Sequence, residues 1–375
     1  VSEQARASEI IPVAEPDSVI MQPTTLCNLD CRYCYLPHRK DNRPMAPAVA
    51  RAVAESVRNW TPERPVDIVW HGGEPLAAGR ERLGALFDQF ADVEVSHSVQ
   101  TNAVLIDEAW SAWFAERGVR VGVSVDGVEQ DNGARVDLAG RPAFPRIERG
   151  IRRLVDDGHD VSVIAVVSDP TPERARRLYT AAADLGARWL GVNIEEREGV
   201  NSRNNVHDSG QVRAFWSALA EAWSSDCRIE LRDVDRVLSY ASEVLDGRAP
   251  YGAAAIDPLP TVAWNGAVTL ISPELAGFKS NRFNRFECGN VLALGLDSII
   301  ERGMSSEWVV EYRRGLDRCR STCRFFDFCG GGQPSNKYFE HGRFDGTETN
   351  YCRNGRMALI EGVLDAARRN SRTVR

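Results

Sequence analysis

The chain has 375 residues, 43% apolar and 26% charged, with a formal net charge of −7. This length holds one large domain and a smaller second one. The acidic balance argues against non-specific nucleic-acid binding, and no stretch has the apolar length of a membrane span or the core of a signal peptide. Nine cysteines in uneven clusters read as metal ligands in a reducing compartment rather than a disulfide framework, which predicts a cytoplasmic protein.

In chain order, residues 1–17 form an extension, too short for a separate peptide-binding domain. Short β-branched runs follow at 18–24, 66–71, 93–99, 119–125, 161–167 and 188–194. Amphipathic segments at 46–59, 80–91, 107–117, 145–157 and 171–185 separate them. Such alternation calls for βαβ units on a parallel sheet. Six units predict an α/β fold, a partial (β/α)6 TIM-like barrel over 18–200. By analogy with closed barrels, its chemistry belongs at the C-terminal strand ends.

The first strand end carries Cys27, Cys31 and Cys34 in "TTLCNLDCRYCYLP". The spacing C-x3-C-x2-C supplies three thiolates, enough for three irons of a 4Fe–4S cubane, and leaves the fourth open. Electron-transfer ferredoxins close all four positions. A zinc knuckle is the alternative, with His38 as the nearby fourth ligand.

Each later strand end is also polar. The second runs into His71-Gly72-Gly73-Glu74-Pro75, where two glycines admit a close ligand and a carboxylate follows. The third ends at Gln100-Thr101-Asn102 and the fourth at Ser124-Val125-Asp126-Gly127. Arg135 and Arg141 beyond it are either partners for a carboxylate or solvated loop charges. After the sixth come Val192, Asn193, Glu195 and Glu196 in "VNIEEREGVN". The glutamates either face the site or form a solvated run.

Residues 201–260 read as a helical bridge, clearest at 211–224 and 232–246, and 261–375 as a C-terminal lobe opening on a hairpin with Asn265-Gly266 at its turn. Trp216, Trp223 and Trp264 read as core, and Cys227 as an inert buried thiol. Cys319, Cys323 and Cys329, spaced C-x3-C-x5-C, join Cys352 to supply four thiolates for a saturated 4Fe–4S cluster or for zinc. Cys288 is either a buried thiol or a substitute ligand.

The N-terminal cysteine spacing, with Tyr33 just before the last cysteine, resembles that of radical S-adenosylmethionine enzymes. The resemblance implies that the open iron chelates the methionine part of S-adenosylmethionine. It further implies that Gly72, Gly73 and Glu74 receive its ammonium group, and that Asn102, Ser124 and Asp126 contact its ribose and carboxylate. Arg135, Arg141, Asn193 and Val192 would complete the cofactor site, Val192 near the adenine. The C-terminal cysteines resemble the SPASM extension of peptide-modifying members. That extension has seven core cysteines for two auxiliary clusters. Here Gln333 and Ile271 stand where cysteines of the first are expected, which implies one auxiliary cluster and two 4Fe–4S clusters in all.

Within the family the segments look most like maturases of ribosomally made peptides, especially cyclophane-forming ones. These join an aromatic ring carbon to a side-chain β-carbon. A 5′-deoxyadenosyl radical would take the hydrogen, Glu195 or Glu196 the proton, and the auxiliary cluster the electron. The implied partners are a precursor peptide and an external reductant such as a flavodoxin or ferredoxin. Thioether formation, epimerisation and sulfatase-maturing oxidation of Ser or Cys are the rivals, and a non-catalytic Fe–S or zinc scaffold is the alternative of another class.

Overall fold

The computed structural model describes residues 15–60, 64–203, 206–247 and 256–373. Most of the expected N-terminal extension, residues 1–14, lies outside the described residues. Six parallel strands stand side by side in sequence order: β1 (Ser18–Met21), β2 (Val66–Trp70), β3 (Val95–Thr101), β4 (Arg120–Ser124), β5 (Val161–Val167) and β6 (Trp189–Ile194). Helices α1 (Pro47–Val57), α2 (Arg80–Phe87), α3 (Glu108–Glu116), α4 (Phe144–Asp156) and α5 (Pro172–Asp184) connect them. This is the expected partial (β/α)6 barrel.

The side-chain periods explain both layers. In β5, Val161, Val163, Ala165 and Val167 are buried, while Ile164 and Val166 line the cavity at the barrel mouth. Helix α4 buries Ile147, Gly150, Ile151 and Leu154, one stripe at a 3.6-residue period. Asp107 caps α3 by accepting from Trp110 N–H at 2.8 Å. β1 stops at Met21, short of the expected residue 24, where Pro23 has no N–H to continue the ladder.

The sheet extends past both ends of the barrel. Helix α6 (Ser209–Asp226) leads to a two-residue strand, β7 (Glu230–Leu231), which pairs in parallel with β6 and enters α7 (Arg232–Leu245). The expected hairpin is β8 (Thr261–Val262) and β9 (Ala267–Thr269), with Gly266 at φ 84° closing its turn. β8 pairs in parallel with β1, so the hairpin continues the barrel sheet. After the ribbon β10 (Lys279–Ser280) and β11 (Asn284–Arg285), strand β12 (Glu287–Asn290) adds to β9 as the outer edge.

The lobe then turns helical: α8 (Leu296–Gly303), α9 (Glu307–Thr322), α10 (Phe326–Cys329), α11 (Pro334–His341), α12 (Asn350–Cys352) and α13 (Ala358–Thr373). Helix α13 returns to α6, where Arg213 pairs with Asp365 at 2.6 Å and Trp216 Nε1–H donates to the Asn354 carbonyl at 2.7 Å. Trp216 is core as expected. Trp223 and Trp264 are half-buried and pack against the core, and Trp264 also lines a cavity beside Arg43. Cys227 is exposed rather than buried, because it ends α6 in the left-handed conformation at φ 50°. Cys288 packs beside Gly303 and lines neither of the two cavities that the other cysteine sets share.

Candidate active site

The C-terminal strand ends and the lobe enclose a cavity of about 330 Å3, a size suited to a small-molecule cofactor. Cys27, Cys31 and Cys34 share its wall with Tyr33, Gly73, Glu74, Asn102, Ser124, Arg135, Asn193, Glu195 and Glu196. Gly72 faces a neighbouring cavity of about 500 Å3 instead. Asp126, Val192 and Arg141 do not line the cofactor-sized cavity. Asp126 lies just behind its wall, and Val192 is core, its N–H held by Asp233 at 2.8 Å. Arg141 is solvated, its side chain 75% exposed and paired with Asp137.

The cysteine loop is tied down by buried polar groups. Asp126 accepts from Arg135 at 2.9 and 3.0 Å, from the Tyr33 hydroxyl at 2.7 Å and from Val166 N–H at 2.9 Å. Arg135 also lies over the Tyr33 ring. One carboxylate thereby fixes the residue between Cys31 and Cys34 to β4 and β5. Glu74 does the same for the other wall, accepting from Leu76 N–H, Thr101 Oγ1–H and Asn102 N–H at 2.7–3.0 Å. Its N–H donates to Leu26 O at 2.8 Å. Asn102 reaches the loop through Asn28 at 2.7 Å.

The donor chemistry fits an iron–sulfur group held by the three N-terminal cysteines. Burial pushes all three thiols up, Cys31 to about 11. Buried thiols so reluctant to ionise become thiolates when a metal displaces the proton. Leu29 N–H already points at the Cys27 sulfur at 3.4 Å. The lobe cysteines also share one space: Cys319, Cys323, Cys329 and Cys352 line a cavity of about 230 Å3. Cys329 is held below the usual thiol value by the Cys352 S–H, which is pushed up in turn. Among the described residues no three His, Cys, Asp or Glu side chains close to the spacing of a single ion. Common lining and donor chemistry, not preformed coordination, carry the assignment.

Carboxylates dominate the far wall. Glu195 is 3% exposed. Its Oε1 accepts from Asn201 at 3.3 Å and pairs with Arg203 at 3.4 Å, while Oε2 is buried with no partner. Burial pushes Glu196 up to about 8, and Asn336 donates to it. Two further glutamates that sequence reasoning missed line the same cavity, Glu198 and Glu274, both raised by burial. Glu198 accepts from Ser335 at 2.7 Å and Asn336 at 2.9 Å. Its place in the Glu195–Glu198 run was a signal, whereas Glu274 belongs to no motif. Gln333 and Tyr351 reach the cavity from the lobe. His71, pulled down to about 4 by burial, stands neutral beside Tyr35.

The profile of the radical SAM superfamily matches residues 21–182. An uncharacterized protein of Synechocystis is 30% identical over 98% of this chain and 96% of its own length. The chain belongs to the radical SAM superfamily. This radical SAM chain is also similar to the serine-type anaerobic sulfatase-maturating enzyme of Klebsiella aerogenes, 34% identical over 59% of each protein. It therefore spans under two thirds of that relative. Among solved structures, native anSMEcpe with bound AdoMet and Cp18Cys peptide superposes with a TM-score of 0.73 at 21% identity, covering 96% of this chain and 99% of that one. Fold and partial barrel are shared. Among the described residues, no helix of the radical SAM chain is long and apolar enough to cross a membrane.

Proposed function

We propose that this radical SAM chain oxidises a side chain of a peptide or protein by removing a hydrogen from its β-carbon, then one electron and one proton. Serine or cysteine oxidation, as in sulfatase maturation, is better supported than aromatic crosslinking, because the relative with a stated activity is a sulfatase-maturating enzyme. The observation that carries it is a single cavity with three cysteines on one wall and the unpartnered Oε2 of buried Glu195 on the other.

When bound at Cys27, Cys31 and Cys34, an open 4Fe–4S cluster with S-adenosylmethionine supplies a 5′-deoxyadenosyl radical. An external reductant such as a flavodoxin or ferredoxin provides the electron. Gly73, Asn102, Ser124 and Asn193 outline the cofactor wall, and Asp126 and Glu74 hold that wall rigid. For a serine, the β-hydrogen leaves as an atom to the deoxyadenosyl group. A redox group held by Cys319, Cys323, Cys329 and Cys352 would supply the acceptor for the second electron, the hydroxyl proton goes to Glu195, and the product is an aldehyde. Glu196, carrying its proton at neutral pH, donates a hydrogen bond to a backbone carbonyl of the substrate.

The test is anaerobic turnover with S-adenosylmethionine and dithionite on matched synthetic peptides carrying Ser, Cys or Ala at one position and an aromatic residue two positions away. The Ser or Cys peptide is expected to release 5′-deoxyadenosine and gain a hydroxylamine-reactive carbonyl, the Cys peptide once water has replaced the sulfur of its thioaldehyde with release of H2S. Loss of two hydrogens without that reactivity would move the function to aromatic crosslinking. An unchanged peptide mass with inverted stereochemistry would make it an epimerase.

A further inference from the structure

The chain has three lysines, Lys40, Lys279 and Lys337. The first two are exposed. Lys337, on α11, is 0% exposed. Its ammonium donates to the Cys319 sulfur at 3.7 Å and lies 5.2 Å from the centre of the Tyr312 ring. A Cβ at Gly315 would approach its nitrogen to 3.1 Å, so the glycine leaves room for the ammonium. Among the described residues it makes no ion pair with a carboxylate. A buried charge without a partner is costly, and among the described residues the sulfur or oxygen hydrogen-bonded to this one is a cysteine of the lobe.

We propose that Lys337 is a positioning residue for electron transfer: its buried ammonium favours the more negative, reduced state of the four-cysteine group, so that this group accepts the electron leaving the substrate radical. The proposal rests on the lobe cysteines holding a redox-active cluster. Four thiolates give such a cluster net negative charge, and one more electron adds to it. A fixed positive charge at hydrogen-bond range therefore stabilises the reduced form more than the oxidised one. Net charge and hydrogen bonds to sulfur are the levers that set iron–sulfur potentials. A lysine is compact enough for the space beside Gly315, where the planar fork of an arginine is larger.

The full chain with Cys27, Cys31 and Cys34 replaced by alanine isolates the lobe site. About four irons per chain are expected after reconstitution. No iron, or zinc in its place, overturns the cluster reading and the proposal with it. With iron present, EPR-monitored titration of Lys337→Met and Lys337→Gln is expected to show a reduced-to-oxidised ratio about tenfold lower at fixed poise, which is about 59 mV for a one-electron couple. An unchanged midpoint overturns the role of Lys337 alone and leaves the cluster standing. If neither variant binds iron, labelling the Lys337-intact chain with 15Nζ-lysine decides. Only Lys337 lies beside the lobe cysteines, so one 15N hyperfine coupling to the reduced cluster is expected, and its absence overturns the proposal.

Discussion

Two side chains that look like cofactor contacts in the sequence are also joints of the scaffold. Asp126 and Glu74 both spend their oxygens on protein donors, three or more each. The strand-end position was legible because the alternation of strands and helices puts both carboxylates just past a strand, but the partners were not. Tyr33 is 93 residues from Asp126 in sequence and hydrogen-bonded to it in space. Asp126→Asn leaves the Arg135 guanidinium, 4% exposed, without its counter-charge. Breaking a buried pair this way costs about 3–5 kcal/mol. Urea unfolding is expected to show a loss of that order, and a change within about 0.5 kcal/mol, typical of surface sites, would mean that the pair is solvated.

At the scale of elements, the loop after β1 and the turn after β2 are interlocked. Gly73 has φ 59°, and a Cβ there would sit 2.5 Å from Leu26 O and 2.8 Å from Thr25 O, both backbone atoms of the cysteine loop. Neither can yield without moving Cys27. Gly73→Ala is therefore expected to keep the lobe's iron and lose that of the N-terminal site, so reconstituted iron falls from about eight to about four per chain. Iron unchanged at about eight would show that the loop can shift. The strands and helices themselves were readable from period alone. Their ends moved by a few residues where Pro23 or a capping Asp107 intervened. β7 escaped notice because two residues carry no period.

The whole molecule closes where barrel meets lobe. Glu196 and Glu198, past β6, receive hydrogen bonds from Ser335 and Asn336 of α11. Burial holds the proton on Glu196 up to about pH 8, against an ordinary value of 4.5. Between those values the folded chain binds a proton that the unfolded chain has released, so stability falls as pH rises through the window. Glu196→Gln keeps the hydrogen-bond acceptor and removes the titration. Its stability at pH 8 relative to pH 5 is expected to exceed that of the unchanged chain by about 1–2 kcal/mol, since one pKa unit is about 1.4 kcal/mol and the neighbouring Glu198 and Glu274, also raised by burial, titrate together with it. Identical pH slopes in both proteins would place the linkage elsewhere.

Sequence alone determined the parallel barrel, the strand ends as the place of chemistry, and the two cysteine sets, because local period and short-range spacing encode all three. It left open whether the glutamates after the sixth strand are solvated and whether Arg135 or Arg141 matters. Tertiary structure decided these. Glu195 and Glu196 turn inward under the lobe, Arg135 is buried against Asp126, and Arg141 stays in solvent. Packing of segments more than a hundred residues apart sets which charges lose their water. Packing within the lobe also put Lys337 against Cys319, 18 residues away along the chain, a pairing no spacing rule contains.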